Sequence, residues 1–463
     1  MFSGNWRRAY VSLRHLVDHL TSRDASKKRD FVAKSSNVFP QIILSNYLEG
    51  HLSNKSNVKG FHWSGATDLK TSLQFQGGFV QVNNNVESHA SSMLISTLTT
   101  SELSGFVEPL EELYELAGLT GIQKTQILAI IDLLNEVSNS QSASAYANLD
   151  EPGRRFWVAL RFQQLYFFRS FGRLASGEEL VIDSSLMGCA FHSDSQETLF
   201  LSCLPNEPSW KEMRALGIGF WFTNVTQLRS RMEKLARLQY LKKKDAKDCA
   251  LLYIALNRLQ VLAGLFKISK DEKDKALVGF LSRNFQEEKN KAAALKNAYV
   301  LMGRHQLEMA IAFFLLGGDA SSAVSVCAKN LGDEQLALVI CRLIEGRGGS
   351  LESNLITRFI LPSAIERGDY WLASLLEWEL GNYSESFFTM IGLHGSHKME
   401  MPTLSSSHAG FMDPSIGLYC LTLANKNSMK NAIGEGNAAT LGRWATLMRA
   451  IALNRCGLPK TID

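Results

Sequence analysis

Leu307-Glu-Met-Ala-Ile-Ala-Phe-Phe-Leu-Leu-Gly-Gly-Asp319 is the stretch on which the fold turns. Leu307, Ala310, Ile311, Phe314 and Leu315 recur at helical spacing, and Met309, Ala312, Phe313 and Leu316 make the other faces apolar as well. A helix apolar all round is sandwiched between neighbours, so this segment predicts the core of a helical array. The apolar run Met309–Gly318 covers ten residues, against the roughly 20 that a membrane-spanning helix needs.

The Gly-Asp that closes this run recurs. Gly318-Asp319-x-x-x-Ala323, Gly332-Asp333-x-x-x-Ala337, Gly368-Asp369-x-x-x-Ala373 and Gly381-Asn382-x-x-x-Ser386 share one form. The glycine can end a helix in the left-handed conformation, and the Asp or Asn can cap the next helix. The small residue then falls one turn in, where two helices can approach closely. The members lie 14 and 13 residues apart within pairs, and the pairs start 50 residues apart. That spacing predicts successive helical hairpins stacked as an α-solenoid. An irregular helical bundle punctuated by common Gly-Asp stops fits the same pattern.

Working outward, almost every window from 223 to 390 has helical period and strand-like alternation is scarce, so the fold class is all-α. On the N-terminal side, 176–210 is rich in Gly, Pro and Ser and reads as loops with short extended segments. The helix 154–173 is aromatic. Its Phe156, Leu160, Phe167 and Phe171 share one face, and Arg154, Arg155, Arg161, Arg169 and Arg173 stand among the rings. Helical spacing of the Phe residues favours a packing core over a stacking surface for single-stranded nucleic acid. Ser/Asn-rich interruptions make 23–100 a poorly ordered N-terminal segment. Before it, Trp6, Tyr10, Leu13, Val17 and Leu20 line one side of an amphipathic helix within 1–22. The remaining boundaries are a helical-repeat domain over 101–391, a linker at 392–410 and a helical cap at 411–463.

Composition excludes whole function classes. Of 463 residues, 45% are hydrophobic and 20% charged, a globular balance that rules out wholesale disorder. A net charge of +4 from 49 basic and 45 acidic residues is too small to mark a nucleic-acid binder. Seven cysteines stand far apart without a Cys-x-x-Cys pair, so they read as small buried thiols in a reducing compartment. The start of the chain has arginines but no apolar core after them, so no signal peptide is expected.

No catalytic, cofactor or metal constellation emerges. His15 and His19 have metal-ligand spacing but no third ligand, and His394 and His397 sit in a Gly/Ser loop without cysteines. Leu216-Gly-Ile-Gly-Phe220 lacks the third glycine of a dinucleotide loop, Gly346-Arg-Gly-Gly349 lacks the lysine of a phosphate loop, and Gly-x-Ser-x-Gly is absent. An enzyme is not expected. The densest charge run is basic: Arg229, Arg231, Lys234, Arg237, Lys242, Lys243, Lys244 and Lys247, against Glu233, Asp245 and Asp248. A solvated helix and turn explains it. A docking face for an acidic protein centred on Arg237, Lys242, Lys243, Lys244 and Lys247 explains it too, and anionic lipid or nucleic acid is the third reading.

Several phrases in order carry a resemblance. They are Asp248-Cys-Ala-Leu-Leu-Tyr-Ile-Ala-Leu-Asn-Arg-Leu259, Val261-Leu-Ala-Gly-Leu-Phe266, Phe280-Leu-Ser-Arg-Asn-Phe-Gln-Glu-Glu-Lys289, Lys291-Ala-Ala-Ala-Leu-Lys-Asn-Ala-Tyr299 and Gln335-Leu-Ala-Leu-Val-Ile-Cys-Arg-Leu343. Together with Ala312-Phe-Phe-Leu-Leu-Gly-Gly-Asp319 they resemble the C-terminal region of the RAVE-complex large subunit, the rabconnectin or DmX-like family, most of all its plant members. The likeness is strongest over about 150–390, and Trp6-Arg-Arg-Ala-Tyr10 with Arg14-His-Leu16 adds to it. The family resembles two WD-repeat propellers followed by a long helical region, and WD blades are not represented here. The resemblance implies a non-enzymatic scaffold, without cofactor, that promotes assembly of the vacuolar-type proton ATPase and hence acidification. It implies peripheral-sector subunits and other RAVE subunits as partners. The implied place is cytoplasmic, with peripheral attachment to vacuolar or endosomal membranes through those partners and no nucleic acid. A helical-repeat vesicle-trafficking adaptor is the alternative, because coat proteins use the same hairpins.

Overall fold

The computed structural model describes residues 6–27, 100–139, 143–175, 177–180, 182–269, 272–393 and 409–455. Among them the secondary structure is helical throughout, without a strand. The N-terminal segment expected to be poorly ordered lies outside the described residues over 28–99, as does most of the 392–410 linker with His394 and His397. The chain divides into two compact units, residues 1–149 with 157–174, and residues 150–156 with 175–463.

The first unit holds α1 (Trp6–Lys27), α2 (Thr100–Ser104), α3 (Val107–Leu113), α4 (Gly121–Ser138), α5 (Ala143–Ala147) and most of α6 (Glu151–Phe171). The N-terminal helix keeps its expected face: Trp6, Tyr10, Leu13, Val17 and Leu20 are all buried. Trp6 Nε1 donates to Tyr146 Oη at 2.8 Å, which satisfies the polar tip of a buried indole. Along α6, Arg161 reaches Glu136 at 2.6 Å and Arg169 reaches Asp132 at 2.6 Å. Two of the helix's arginines therefore bind carboxylates of α4. Phe171 nonetheless stays 64% exposed, so the shared apolar face is buried only in part.

The second unit begins where loops and extended segments were expected. Its α7 (Ser184–His192) and α8 (Gln196–Cys203) are short helices instead, and α9 (Trp210–Ala215) and α10 (Ile218–Trp221) follow them. Caps explain them: Asp183 accepts from Leu186 N, and Ser209 forms a reciprocal capping box with Glu212. The row continues through α11 (Val225–Lys243), α12 (Lys247–Ala255), α13 (Leu259–Ile268), α14 (Glu272–Leu281) and α15 (Glu288–Gly303). Then come α16 (Leu307–Leu316), α17 (Ala320–Lys329), α18 (Glu334–Ile344), α19 (Ser350–Leu355), α20 (Leu361–Glu366), α21 (Tyr370–Glu379), α22 (Tyr383–Met390), α23 (Pro414–Asn425), α24 (Asn427–Ile433) and α25 (Glu435–Arg455). Between α19 and α20 a π-turn over Ile356–Ile360 precedes Pro362. Proline removes one N–H and crowds the preceding turn, and the wider π-turn makes room for it.

The Gly-Asp repeat builds the hairpins. Gly318, Gly332, Gly368 and Gly381 all have positive φ, between 69° and 83°. Asp319, Asp333 and Asp369 cap α17, α18 and α21 by accepting from the third backbone N–H beyond, at 2.9, 2.9 and 3.1 Å. Asn382 departs from the pattern: its amide donates to Glu377 Oε2 at 2.7 Å and does not cap α22. The small residues Ala323, Ala337, Ala373 and Ser386 are fully buried. Ser386 Oγ donates to Ser374 O at 2.7 Å across the α21–α22 hairpin.

Sequential packing is one half of the architecture. Each of α15 to α18 packs on the next, and α20 to α23 do the same. The other half is a return row: α12 lies on α16, α10 on α18 and α7 on α21. Earlier helices thus meet later ones in reverse order, and α16, α18 and α21 are covered on both sides. Phe314 on α16 is 1% exposed, as the all-round apolar pattern required. At the crossing of α10 and α18 a Cβ on Gly219 would stand 2.5 Å from Gln335 Cβ, so that approach needs glycine.

A buried ionic network ties the rows. Arg342 of α18, 1% exposed, donates to Glu352 Oε1 at 2.7 Å and to Gly219 O at 2.8 Å. Its other terminal nitrogen lies 3.5 Å from Glu379, which Arg347 also grips at 2.6 Å. A buried guanidinium is tolerated only when its charge and its donors are all met.

Candidate functional site

The basic run folds as most of α11, a tight turn and the first residue of α12. Asn224 caps α11 at its start, accepting from Gln227 N at 3.1 Å. At its far end Lys244 adopts φ +58° and its N–H bonds Tyr240 O at 2.7 Å. A left-handed lysine costs about 1 kcal/mol or more relative to glycine. The turn therefore holds a cation at a backbone position that glycine would fill with less strain.

The structure sorts the eight cations into two groups. Arg229 bonds Leu343 O, Arg231 pairs with Glu197, and Lys234 Nζ donates to Asn206 O at 2.8 Å. Those three brace the fold. The five singled out for docking lie further along. Arg237, Lys242, Lys243 and Lys244 are exposed, and Lys247 is half-buried. Lys243 Nζ meets Asp248 Oδ2 at 2.9 Å, and that hydrogen bond raises its pKa. Lys247 Nζ meets the buried Asp274 at 2.8 Å, and Ser269 Oγ donates to the same carboxylate at 2.7 Å. Lys244 Nζ hangs 5.7 Å from the centroid of the Tyr240 ring. Arg237 and Lys242 make no ion pair among the described residues. The run thus resolves into two anchored lysines and three cations directed to solvent, Arg237, Lys242 and Lys244.

The buried polar residues that organise this unit escaped the sequence reading. Arg342 stood alone in the apolar run Leu336–Leu343, and one cation in such a run is the signal for a buried pair. His192, 4% exposed, has Nε2 3.2 Å from Tyr419 Oη, with Trp378 edge-on at 4.9 Å. Burial, with Lys426 and Arg347 nearby, pushes its pKa down to about 3. Cys189 and Cys249 are pushed up to about 12 and Cys327, Cys341 and Cys420 higher still, all chiefly by burial. Such thiols are unreactive at neutral pH. No group of three or more His, Cys, Asp or Glu among the described residues could hold a metal ion. No helix among them is long and apolar enough to cross a membrane.

The comparison with known families decides the kinship. Residues 42–412 match the model of the RAVE protein 1 C-terminal family. The chain belongs to that family. The matched span runs beyond the 150–390 stretch that carried the resemblance, while Trp6–Tyr10 lies outside it. Among relatives, DmX-like protein 1 of Mus musculus is 33% identical over 301 residues, 60% of this chain and 10% of its own length. The Homo sapiens protein of the same name is 33% identical over 301 residues, again 60% of this chain and 10% of its own. Regulator of V-ATPase in vacuolar membrane protein 1 of Saccharomyces cerevisiae is 32% identical over 269 residues, 57% of this chain and 18% of its own. The chain therefore corresponds to between a tenth and a fifth of these RAVE-family relatives. The all-helical second unit, with α11 and its basic turn, falls largely within the family match.

Proposed function

We propose that this chain is a non-enzymatic helical scaffold of a RAVE-like complex that promotes assembly of the vacuolar-type proton ATPase. The observation that carries the reading is the family match across residues 42–412, joined to the name of the yeast relative as a regulator of that ATPase. Peripheral-sector subunits and other RAVE subunits are its partners. It works from the cytoplasmic side of vacuolar or endosomal membranes and is held there through those partners.

The second unit suits such a role physically. The buried Arg342–Glu352–Glu379 network ties its two rows of helices, and a partner that docks on a surface already ordered does so without paying to order the scaffold. Arg237, Lys242 and Lys244 form the docking face, with Lys243 and Lys247 fixing the turn that presents them. An acidic partner surface meets these cations, gaining mainly in association rate. Loss of the chain from its native cells should raise the luminal pH of the acidic compartment before cargo sorting changes. Normal luminal pH with missorted cargo would instead favour a trafficking adaptor.

A further inference from the structure

Beside the basic turn, α11 borders a concavity that the charge run alone does not reveal. Phe200, Leu204, Pro208, Met213 and Leu238 line a cleft of about 130 Å³ between α8, the 204–208 connection, α9 and α11. An apolar cavity of about 150 Å³ takes a benzene ring, so this one has room for a single bulky apolar side chain. Its lining also includes two cations. Arg231 lies over the Phe200 ring at 4.8 Å, and Lys234 is held by Asn206 O. Leu201, 59% exposed, adds apolar surface to the same lining.

From the cleft, α11 carries an unbroken exposed stripe to the turn. Lys234, Arg237 and Leu241 follow one another by three and four residues and are all exposed, so they share one side of the helix, and the exposed Lys244 caps its end. Leu238 and Lys244 are six positions apart, about 9 Å along the axis. An extended peptide covers that distance in about three residues.

We propose that this helix side binds a short linear segment of a partner protein. A bulky apolar side chain of the segment fills the cleft, and carboxylates about three residues away engage Arg237 and Lys244, with Lys242 one turn beyond Leu238 on the cleft's side of the helix. The proposal rests on reading the basic turn as a docking face and adds the anchor that gives it sequence specificity. A bilayer fits less well, because Glu233, Asp245 and Asp248 stand among the cations and would repel anionic lipid, whereas a peptide can place its charges between them.

The test uses the full chain and a fluorescein-labelled synthetic peptide with one Phe and four Glu starting three residues beyond it. Two control peptides replace Phe by Ala or all Glu by Gln. Each control should bind at least tenfold more weakly than the parent, and both Leu201→Glu and R237E/K242E/K244E should weaken the parent by a similar factor. The peptide controls leave the protein untouched, so they decide the matter even where a variant folds poorly. Equal binding of the Phe and Ala peptides overturns the cleft anchor, and if the charge variant still weakens binding the basic docking face survives alone. No binding of the parent peptide overturns the proposal. If phosphatidylserine vesicles bind in a charge-dependent way where the peptide does not, lipid replaces protein as the occupant.

Discussion

His192 shows how a single buried residue sets a pH limit on the fold. Its imidazole is held down to about 3 by burial and by the charges of Lys426 and Arg347, whereas in an unfolded chain histidine titrates near 6.5. Between those values the unfolded chain binds a proton that the folded chain refuses. Stability is therefore unaffected above about pH 6.5 and falls as the pH drops below it, by about 2 kcal/mol at pH 5. His192→Gln retains a polar side chain but cannot titrate. Urea unfolding at pH 7.5 and pH 5 should show a drop smaller by about that amount in the variant, and equal drops would contradict the assignment. Arg342 sets a different limit. Arg342→Ala leaves Glu352, its side chain 1% exposed, without its buried counter-charge, while Glu379 keeps Arg347. The expected loss is about 3–5 kcal/mol, read as a fall in the urea midpoint; a change under 1 kcal/mol would mean the network is not closed as described. The apolar run around Arg342 signals its burial, but the partners of neither residue could be assigned from sequence, because Gly219 and Tyr419 lie more than a hundred positions away.

At the scale of elements, the hairpin punctuation is a local code and was legible. Gly332 has φ +69° and nothing within 4 Å of an added Cβ, so only its backbone conformation demands glycine. Gly332→Val should cost about 1 kcal/mol or more through that conformation alone. Asp333 does more than its position in the motif implies. Besides capping α18 it accepts from Trp210 Nε1 at 2.7 Å, so it also joins α9 to α18. Asp333→Ala should lose the cap, about 0.5–2 kcal/mol, plus about 1 kcal/mol for the stranded indole. Thermal melts of the two variants check both, and an Asp333→Ala effect no larger than a simple cap would remove the tie to Trp210. The pairing of α7 with α21 and α10 with α18 was not legible, since each helix alone shows only that it is apolar. The helices of 184–203 were missed for a related reason. Gly, Pro and Ser fill their joints, and the cap at Asp183 outweighs that composition for the first of them.

At the scale of the whole molecule, the cations that brace the fold are separate from the three exposed ones proposed to meet an acidic partner. Arg231, Lys234 and Arg342 are bound to internal acceptors, while Arg237, Lys242 and Lys244 face solvent. Reversing those three should leave the melting temperature nearly unchanged, because surface substitutions usually shift stability by about 0.5 kcal/mol or less. It should slow association with an acidic partner and flatten its dependence on ionic strength; identical rates and slopes would make the run a solvated face. Under the proposed function this RAVE-family chain promotes assembly of a proton pump, and affinity purification of the tagged full chain from its native cells at low salt is the decisive experiment. Wild type should bring down peripheral-sector subunits of the vacuolar-type ATPase, and R237E/K242E/K244E should bring down markedly less. Absence of those subunits from the wild-type sample would contradict the account.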